Sequence, residues 1–548
     1  MQSHDIAQIN ARLAAEVVGT CARLGVTDVC LCAGARNAPL VVALTSQEEA
    51  GREGLRLWHF FDERAAGFFA LGCSARGGLG AVVTTSGTAA AEVLPAVIEG
   101  HCAGLPLLVI TADRPARYRG SVAPQAIEQV GIFGGYVEAC ADVECRPGDD
   151  VPAVLMAALS QVPWEGRRPW HWNVCFDEPL LGGVSAIPSG PAWEFPDSRG
   201  DRSEATRLQA WLEQHGEALL VLVGGLDPSF QQPLARWLLA GGFPVWAEAT
   251  SGLRECRELE GQLLCGGEAA LAGVTPSAVL RIGDVPSLRW WRDLESSPDI
   301  PVFSVSRAGW TGMAREAEAA RWDTFVWPDP VPQIHDRTWW NSGVGAQKTL
   351  ESLLQACPSS EPAIFRALSE HIPTAAQVFL GNSLPIREWN LAATRERPHP
   401  RIRASRGANG IDGQVATWLG HSVAEGESWG IFGDLTALYD LNAPWIVPQL
   451  TPGRRTLVVI HNGGGRIFSR VPGLARLPER ARQVTENRHA LNLAGWAALW
   501  DMDHHRLDAG THLAGALATL PEVSDHRLRL LEIHPDEADT ERFWLSWK

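Results

Sequence analysis

Continuous apolar runs alternate with stretches of helical spacing along most of the chain. Residues 29–32 and 81–83 have the length of buried strands, whereas residues 6–24 place their apolar positions on one helix face. Each apolar run ends in a small or polar turn, and a small-residue helix follows. Strands alternating with helices over residues 1–183 predict an α/β domain with a parallel sheet.

Two further blocks repeat this pattern. Proline- and glycine-bearing stretches at residues 182–204 and 328–332 indicate two boundaries. The domains predicted from them are 1–183, 205–330 and 345–548. Apolar runs in the later blocks predict these strands: 218–225, 244–247, 278–283, 301–305, 378–381, 457–460 and 528–533.

Composition excludes several classes of partner. The chain has 548 residues and a net charge of −16, and no basic tract is present, which argues against nucleic acid and anionic membranes. No apolar run reaches the ~18 residues of a membrane span, and the first residues lack a secretory pattern. The 11 scattered cysteines are typical of reduced thiols in a cytoplasm.

The stretch from Gly433 to Phe468 carries the strongest chemical signal. Asp434 follows one predicted strand and Asn462 follows the next, and glycines come after Asn462. Ligands bind at the carboxyl ends of parallel strands, and a carboxylate, an amide oxygen and a backbone carbonyl suit Mg²⁺. The hypothesis is a metal-bridged diphosphate, and the alternative is a pair of ordinary turns that end strands.

Two charged residues near the amino terminus are further candidates. Arg36 follows a predicted strand, where a guanidinium can bind an anion, although a surface arginine is the alternative. Glu63 lies between two Phe-Phe pairs, so we expect burial to raise its pKa. Its alternative role is to form part of a charged first helical turn.

These residues belong to a longer set of motifs that resembles one enzyme family. The chain is similar to the 2-succinyl-5-enolpyruvyl-6-hydroxy-3-cyclohexene-1-carboxylate synthases, which are thiamine-diphosphate enzymes of menaquinone biosynthesis. The resemblance covers nearly the whole chain and is carried by these motifs: Phe61-Asp-Glu-Arg64 with Gly67-Phe68, Thr85-Ser-Gly-Thr88, Thr111-Ala-Asp-Arg-Pro115, Gln125 with Gln129, Ser251-Gly-Leu-Arg254, Asn382-Ser383 with Arg387, Arg406-Gly-Ala-Asn-Gly-Ile-Asp-Gly413, and Gly433-Asp-Leu with Asp440-Leu-Asn442.

The resemblance implies three doubly wound parallel-sheet domains of the thiamine-diphosphate-enzyme type, the central one without cofactor. It also implies thiamine diphosphate with Mg²⁺ or Mn²⁺, and a homodimer or homotetramer whose sites lie between subunits. The metal ligands would be Asp434, Asn462 and Gly464. The cofactor-binding residues would be Glu63, Ser86, Gly87, Asn409, Ile411, Gly433, Asp434, Leu435, Asn462, Gly464, Ile467 and Phe468.

The implied reaction decarboxylates 2-oxoglutarate and adds the succinyl unit to isochorismate. Glu63 would share a proton with the cofactor pyrimidine, Ile411 would hold the cofactor bent, and Arg387 and Arg406 would complete the catalytic set. By the same resemblance, the succinyl side would be bound by Ser383, Arg387 and Arg406. Isochorismate would be bound by Arg36, Arg114, Gln125 and Arg289.

The chain departs from the family pattern mainly on the isochorismate side. Ala35 replaces a serine, Pro124 replaces an amide residue and Leu288 replaces a frequent lysine. The turn usually written Asn-Asn-Asp-Gly reads His461-Asn-Gly-Gly464. These changes leave the cofactor motifs intact and affect the expected acceptor pocket.

Two alternatives therefore stay open. One is a thiamine-diphosphate-dependent 2-oxo-acid decarboxylase or carboligase with another acceptor. The other is a catalytically silent relative that binds the cofactor, although Glu63 argues against it. A nucleotide-binding α/β protein is disfavoured, because neither a Gly-x-Gly-x-x-Gly nor a Gly-Lys-Ser/Thr loop is present.

Overall fold

The strands in the described part of the chain form three sheets, and each of their strand pairs is parallel. The three sheets and their flanking helices confirm the α/β fold class. No helix within the described ranges is long and apolar enough to cross a bilayer. The computed structural model describes residues 2–49, 54–162, 164–195, 202–216, 218–272, 274–322, 327–328, 338–424, 426–510 and 512–547.

The first sheet has the strand order β2-β1-β3-β4-β6-β5. Its central strands are buried along their whole length, so they consist of nearly continuous apolar residues. The strands are β1 Asp28–Cys32, β2 Arg56–Phe60, β3 Gly80–Thr84, β4 Leu108–Asp113, β5 Cys140–Glu144 and β6 Trp170–Cys175. The helices are α1 Gln2–Arg23, α2 Ala38–Glu49, α3 Glu63–Ala75, α4 Thr88–Glu92, α5 Leu94–Ala103 and α6 Val151–Ser160.

The second sheet has the order β11-β10-β9-β7-β8. Its strands are β7 Leu219–Val223, β8 Val245–Ala247, β9 Ala278–Ile282, β10 Val302–Ser306 and β11 Glu318–Arg321. Its helices are α7 Arg202–His215, α8 Pro228–Gly241 and α9 Arg289–Asp293.

The third sheet has the order β13-β12-β14-β15-β17-β16, which is the order of the first sheet when strands are counted from β12. Its strands are β12 Gln377–Leu380, β13 Ile402–Arg403, β14 Glu427–Gly433, β15 Arg454–Ile460, β16 Asp503–Asp508 and β17 Leu528–His534. The helices of this region are α10 Thr338–Ala356, α11 Glu361–His371, α12 Leu384–Ala392, α13 Gln414–His421, α14 Asp434–Tyr439, α15 Pro472–Ala475, α16 Glu479–Thr485, α17 Ala494–Leu499, α18 Leu513–Ala518 and α19 Glu537–Ser546.

The chain divides into two compact units that do not follow sequence order. The first unit comprises Met1–Asp197, Asp412–Ala424 and Asp440–Thr451, and the second contains the remaining segments. Helix α13 thus belongs to the first unit, although it lies between two strands of the third sheet in sequence.

Close backbone contact joins α13 to α3 inside the first unit. A Cβ atom at Gly72 would lie 2.1 Å from the Thr417 carbonyl oxygen, and one at Gly420 would lie 2.1 Å from the Phe69 carbonyl oxygen. Only glycine fits at these positions. Asp440 accepts hydrogen bonds from the N–H groups of Gly413 and Val415, each at 2.8 Å, and burial raises the pKa of Asp440 to about 6.

One sequence expectation was wrong. The sequence from Ile467 to Ala481 has no helical or strand periodicity and predicts an irregular segment, but the structure has a 3₁₀ helix at Arg466–Arg470, helix α15 and the start of α16 here. These helices are too short to show a helical apolar repeat.

The predicted domain boundaries stay predictions. Residues 182–195 contain no helix or strand, and α7 already begins at Arg202. Residues 196–201 of the first predicted boundary and 329–332 of the second lie outside the described residues.

Candidate active site

The candidate residues follow the carboxyl ends of corresponding strands in the first and third sheets. In the first sheet, Arg36 follows β1, Glu63 follows β2, Ser86 and Gly87 follow β3, and Arg114 follows β4. In the third sheet, Ser383 and Arg387 follow β12, Arg406 follows β13, Asp434 follows β14, and Asn462 and Gly464 follow β15. Such strand ends are where open α/β sheets bind ligands.

Glu63 is the first residue of α3 and is partly removed from solvent. Asp62 caps the helix by accepting the Ala65 N–H at 3.0 Å, and it also accepts the side-chain amide of Asn442 at 3.0 Å. Desolvation raises the pKa of Glu63, a backbone hydrogen bond partly opposes this, and the nearby Asp62 and Glu92 charges add to the rise. A raised pKa favours the protonated carboxyl group, the form that can share a proton with a ligand.

The aromatic surroundings of Glu63 differ at one position from those expected. Phe60, Phe68 and Phe69 are buried, whereas Phe61 is 50% exposed and packs edge-on against Trp445. Three of the four expected phenylalanines therefore belong to the apolar interior around the start of α3.

The turn after β3 is shaped by a left-handed glycine. Gly87 has φ +84°, and its N–H donates to Gln129 Oε1 at 2.8 Å. Ser86 is buried, and within the described part of the chain no hydrogen-bond partner reaches its Oγ. A Cβ at Gly87 would lie 3.3 Å from the Gln125 Cα. This turn therefore packs against Gln125, one of the residues expected to bind isochorismate.

Arg36 and Arg114 converge on one carboxylate. Arg36 is 5% exposed, and it donates to the Phe176 carbonyl and to Glu178 Oε1, both at 2.9 Å. Arg114 Nη1 lies 3.8 Å from the same Glu178 oxygen, and its Nε donates to the Pro124 carbonyl at 3.1 Å. The structure thus brings these two arginines together, and it adds an acidic neighbour that the sequence did not suggest.

Asp434, in the second unit, is surrounded by backbone donors. Its Oδ2 accepts the N–H groups of Gly463 at 2.7 Å and Gly464 at 3.0 Å, and its Oδ1 accepts the Leu435 N–H at 2.7 Å. Asp434 is 1% exposed and lies directly after Gly433, the last residue of β14. These contacts place the ends of β14 and β15 side by side.

Asn462 presents an oxygen to which no group in the described part of the chain donates a hydrogen bond. Its Nδ2 donates to both carboxylate oxygens of Glu361, at 3.1 and 3.2 Å. Its Oδ1 is buried, and no hydrogen-bond partner reaches it within the described ranges. A buried acceptor left open beside a buried carboxylate fits the oxygen ligands of Mg²⁺ or Mn²⁺.

The backbone of Gly464 has a conformation and a close contact that only glycine tolerates, and its carbonyl oxygen is an expected metal ligand. It has φ +137°, and a Cβ there would lie 2.5 Å from the Glu486 carbonyl oxygen, so a side chain is excluded. Its carbonyl accepts the Arg466 N–H at 2.9 Å, which leaves one lone pair for a cation. Ile467 and Phe468 lie in the 3₁₀ helix that follows.

The expected succinyl-side residues lie around Asn382. Asn382 Oδ1 accepts Arg406 Nη1 at 2.9 Å, and Arg406 Nη2 donates to the Val285 carbonyl at 3.1 Å. Arg387 donates to the Ser383 carbonyl at 2.5 Å, and Ser383 has a left-handed φ of +70°. Burial and the nearby Arg406 charge lower the pKa of Arg387, which marks a concentration of positive charge.

Other expected residues lie in more open surroundings. Arg289, at the start of α9, is exposed, and its Nε lies 3.4 Å from Asp293 Oδ2. Asn409 is exposed with φ +62°, and Ile411 is half-buried. Leu288, which replaces the frequent lysine, packs into the core of the second sheet.

Two residues of this region were missed in the sequence. Glu361 resembles an ordinary acidic residue in the first turn of a helix, and nothing in its neighbourhood indicates a contact with Asn462. His489 Nε2 lies 3.4 Å from Asp434 Oδ2, but an isolated histidine more than fifty residues away along the chain gave no signal. Both contacts arise from tertiary packing.

Comparison with known proteins supports the same assignment. Residues 11–132 match the family described as "Thiamine pyrophosphate enzyme, N-terminal TPP binding domain". The 2-succinyl-5-enolpyruvyl-6-hydroxy-3-cyclohexene-1-carboxylate synthase of Akkermansia muciniphila is 39% identical over 540 aligned residues, covering 96% of this chain and 97% of that protein. The protein of the same name from Bdellovibrio bacteriovorus is 36% identical, covering 98% and 99%.

The three parallel sheets and the matched amino-terminal domain define a thiamine-diphosphate-dependent α/β enzyme. The synthase of Chloroflexus aurantiacus, at 30% identity over 96% of this chain, extends the same likeness. The chain belongs to the 2-succinyl-5-enolpyruvyl-6-hydroxy-3-cyclohexene-1-carboxylate synthase family.

Proposed function

We propose that the protein is a thiamine-diphosphate-dependent synthase that joins the succinyl unit of 2-oxoglutarate to isochorismate in menaquinone or phylloquinone biosynthesis. The products are CO₂ and 2-succinyl-5-enolpyruvyl-6-hydroxy-3-cyclohexene-1-carboxylate. The observation that carries the proposal is the alignment of synthases of that name with 96–98% of the chain. The convergence of arginines at strand ends supports it, because both substrates are polycarboxylates.

In this proposal the second unit holds the diphosphate end of the cofactor. Asp434, the Asn462 Oδ1 and the Gly464 carbonyl would hold Mg²⁺ or Mn²⁺, and the turn around Ile467 and Phe468 would border the diphosphate. The open oxygen of Asn462 supports this assignment. Bound thiamine diphosphate supplies the carbon nucleophile and the electron sink of the reaction.

Glu63 would act as the proton-sharing residue at the pyrimidine ring. Burial raises the pKa of Glu63, which favours the protonated form, so the carboxyl group can hold or release a proton at a ring nitrogen. Ile411 would supply an apolar surface against which the cofactor is held, which is catalysis by positioning.

The arginines would orient the two acids and stabilise their charges. Arg387 and Arg406, with Ser383, would bind the 2-oxoglutarate side, and the acceptor side would be bound by Arg36, Arg114, Gln125 and Arg289. The bond between the keto carbon and its carboxylate breaks as CO₂ leaves. The electron pair of that bond forms the new bond to the isochorismate ring, which takes up one proton.

The direct test is turnover with defined components. The protein is incubated with thiamine diphosphate, Mg²⁺, 2-oxoglutarate and isochorismate, and the loss of isochorismate and the release of CO₂ are followed together. Equal amounts of both are expected. Cofactor binding with no turnover of any 2-oxo acid would instead identify a catalytically silent relative.

One observation favours a second candidate, a decarboxylase or carboligase with another acceptor. Glu178 contacts Arg36 and Arg114, two of the three arginines that would bind isochorismate, and this acid neutralises part of their charge. Release of CO₂ without consumption of isochorismate would favour this candidate. Glu178→Gln distinguishes the two: if isochorismate is the substrate, its KM should fall while the KM for 2-oxoglutarate stays unchanged.

A homodimer or homotetramer with sites shared between subunits is also part of the proposal. Co-expression of Glu63→Gln with Asp434→Asn tests it, because each variant alone lacks one side of every site. In mixed dimers one of the two sites would be native, so random assembly should restore roughly one quarter of parental activity. No recovery in the mixture would contradict sites shared in this way.

We further propose a cytoplasmic location. All eleven cysteines lie in the described ranges and carry free thiols, as expected in a reducing compartment. Cell fractionation with an antibody to the protein tests this, and recovery with the membrane or extracellular fraction would contradict it.

A further inference from the structure

The orientation of the Asn462 side chain is fixed by one buried acid. An amide carries its oxygen and its NH₂ group on opposite sides, and the two ends have nearly the same shape. Here Nδ2 donates to both oxygens of Glu361, at 3.1 and 3.2 Å. Oδ1 therefore points away from Glu361, and within the described residues nothing hydrogen-bonds to it.

Glu361 is itself held in place from several directions. It is 1% exposed, it opens α11, and its N–H donates to Thr540 Oγ1 at 3.0 Å. Arg470 Nη2 lies 3.6 Å from Glu361 Oε2, and Arg470 Nη1 donates to Glu388 Oε1 at 2.7 Å. One arginine thus binds two buried carboxylates, which leaves Glu361 little freedom to turn.

We infer that Glu361 is a positioning residue that makes Asn462 present its oxygen, rather than its NH₂ group, to the divalent cation. The inference rests on the proposed function, in which Asn462 is a metal ligand. Its physical basis is the preference of a cation for the carbonyl dipole, because an NH₂ group in the same place would repel it. Groups that orient metal ligands in this way typically change affinity 10- to 100-fold.

Glu361→Gln is the informative substitution. Its shape is nearly unchanged, but the introduced amide can donate to Asn462 Oδ1 and thereby stabilise the inverted amide. We expect the Kd for Mn²⁺ to rise about tenfold or more. Free Mn²⁺ is measured by electron paramagnetic resonance with thiamine diphosphate present and substrates absent, so the result does not depend on turnover.

The double substitution Glu361→Gln with Asn462→Asp distinguishes a change in the orientation of the metal-binding side chain from a general loss of packing. The introduced glutamine can donate its NH₂ group to the introduced carboxylate, whose second oxygen is then free for the metal. The net charge is the same as in the parent. We expect Mn²⁺ affinity to return to within about threefold of the parental value, a non-additive result that lost packing would not produce.

Glu351→Gln is the matched control. It removes a half-exposed carboxylate on α10 that pairs with Arg366, and it should leave Mn²⁺ affinity unchanged. Thermal unfolding without metal verifies that each variant is folded. If Glu361→Gln is unstable, Glu361→Asp replaces it, because the shorter acid withdraws from Asn462 and should weaken Mn²⁺ binding in the same direction.

Either of two results would overturn this inference and leave the proposed cofactor site standing. These are parental Mn²⁺ affinity in folded Glu361→Gln or Glu361→Asp, and a double substitution that binds no better than Glu361→Gln. Failure of the parent protein to bind Mn²⁺ with thiamine diphosphate is a different outcome, because it would overturn the proposed cofactor site and the inference with it.

Discussion

The first and third sheets have the same strand order but differ in the chemistry at their strand ends. In both, the strands run in the order 2-1-3-4-6-5 when counted from the first strand of each sheet. The first sheet carries Arg36 and Glu63 after its first two strands, whereas the third carries Asp434 and Asn462 after its third and fourth. One architecture thus supports two kinds of site, and the turn residues decide which kind forms.

The contrast is clearest between two acids that each begin a helix after a strand. Glu63 lies among buried aromatic residues, and desolvation raises its pKa. Asp434 is more deeply buried, but it accepts three backbone N–H groups. At Glu63 desolvation outweighs the backbone hydrogen bond that opposes it, which suits proton transfer, whereas three backbone donors fix the Asp434 carboxylate for a cation.

The largest effect is expected for Glu63→Gln. The variant keeps the size of the side chain but cannot give up or take back a proton. Activity should fall at least about 100-fold, because general acid–base groups contribute ~10²–10⁴. Isothermal titration should show thiamine diphosphate binding close to parental. Near-normal turnover would remove Glu63 from the mechanism.

Asp434→Asn should weaken metal binding at the strand ends of the third sheet and leave the residues around Glu63 in the first sheet unchanged. The introduced NH₂ group would face the N–H groups of Gly463 or Gly464 and would also replace a metal ligand. We expect Mn²⁺ affinity to fall at least about 100-fold, beyond what residues that only support a ligand contribute. Electron paramagnetic resonance measures it. A change below threefold would show that Asp434 is not a ligand.

Gly420→Ala tests what holds the helix that Glu63 begins. The added methyl group would lie 2.1 Å from the Phe69 carbonyl oxygen, so α13 must move away from α3. Overpacking of this kind costs about 1–3 kcal/mol, seen as a lower thermal midpoint. Gly515→Ala, where a Cβ meets open space, is the control. Equal midpoints for the two variants would contradict the backbone contact.

The smallest effect is a pH dependence of stability. Because folding raises the pKa of Glu63 above 4.5, its proton contributes stability at low pH that is lost as the pH rises through the folded pKa. Glu63→Gln has no such group to titrate. The thermal midpoint of the variant minus that of the parent should therefore increase as the pH is raised from 4 to 7.

Glu351→Gln should show the opposite trend in the same experiment. The hydrogen bond from Arg366 lowers the pKa of Glu351, so the carboxylate contributes stability that is present above its unfolded pKa and is lost as pH falls. The relative midpoint of this variant should therefore decrease as the pH rises. Parallel trends for the two variants would contradict the assigned shifts.

The sequence predicted buried strands well, including the edge strand β8, and predicted partly exposed edge strands poorly. Strands such as β1 and β15 are buried and consist of continuous apolar residues, so they stand out in the sequence. Edge strands such as β5 and β16 carry polar or charged residues and were not predicted, because one side of an edge strand lacks a covering neighbour.

The site could be predicted only as far as local motifs reach. Asp434 and Asn462 were identified because each follows an apolar strand, and the contacts of Asp434 with Gly463 and Gly464 join the two turns. Glu178 and Glu361 were missed, because their roles depend on partners more than 100 residues away in sequence. Local patterns carry no information about such pairings.

The composition of the first unit has a consequence for protein synthesis. The side of helix α3 that carries Gly72 is covered by Gly420 and its neighbours in α13. Those residues belong to the segment Asp412–Ala424. On the ribosome, the amino-terminal sheet emerges more than two hundred residues before that cover is made. Nascent chains must therefore keep this helix face exposed, and a product that stops near residue 197 would be a substrate for chaperones rather than a stable fragment.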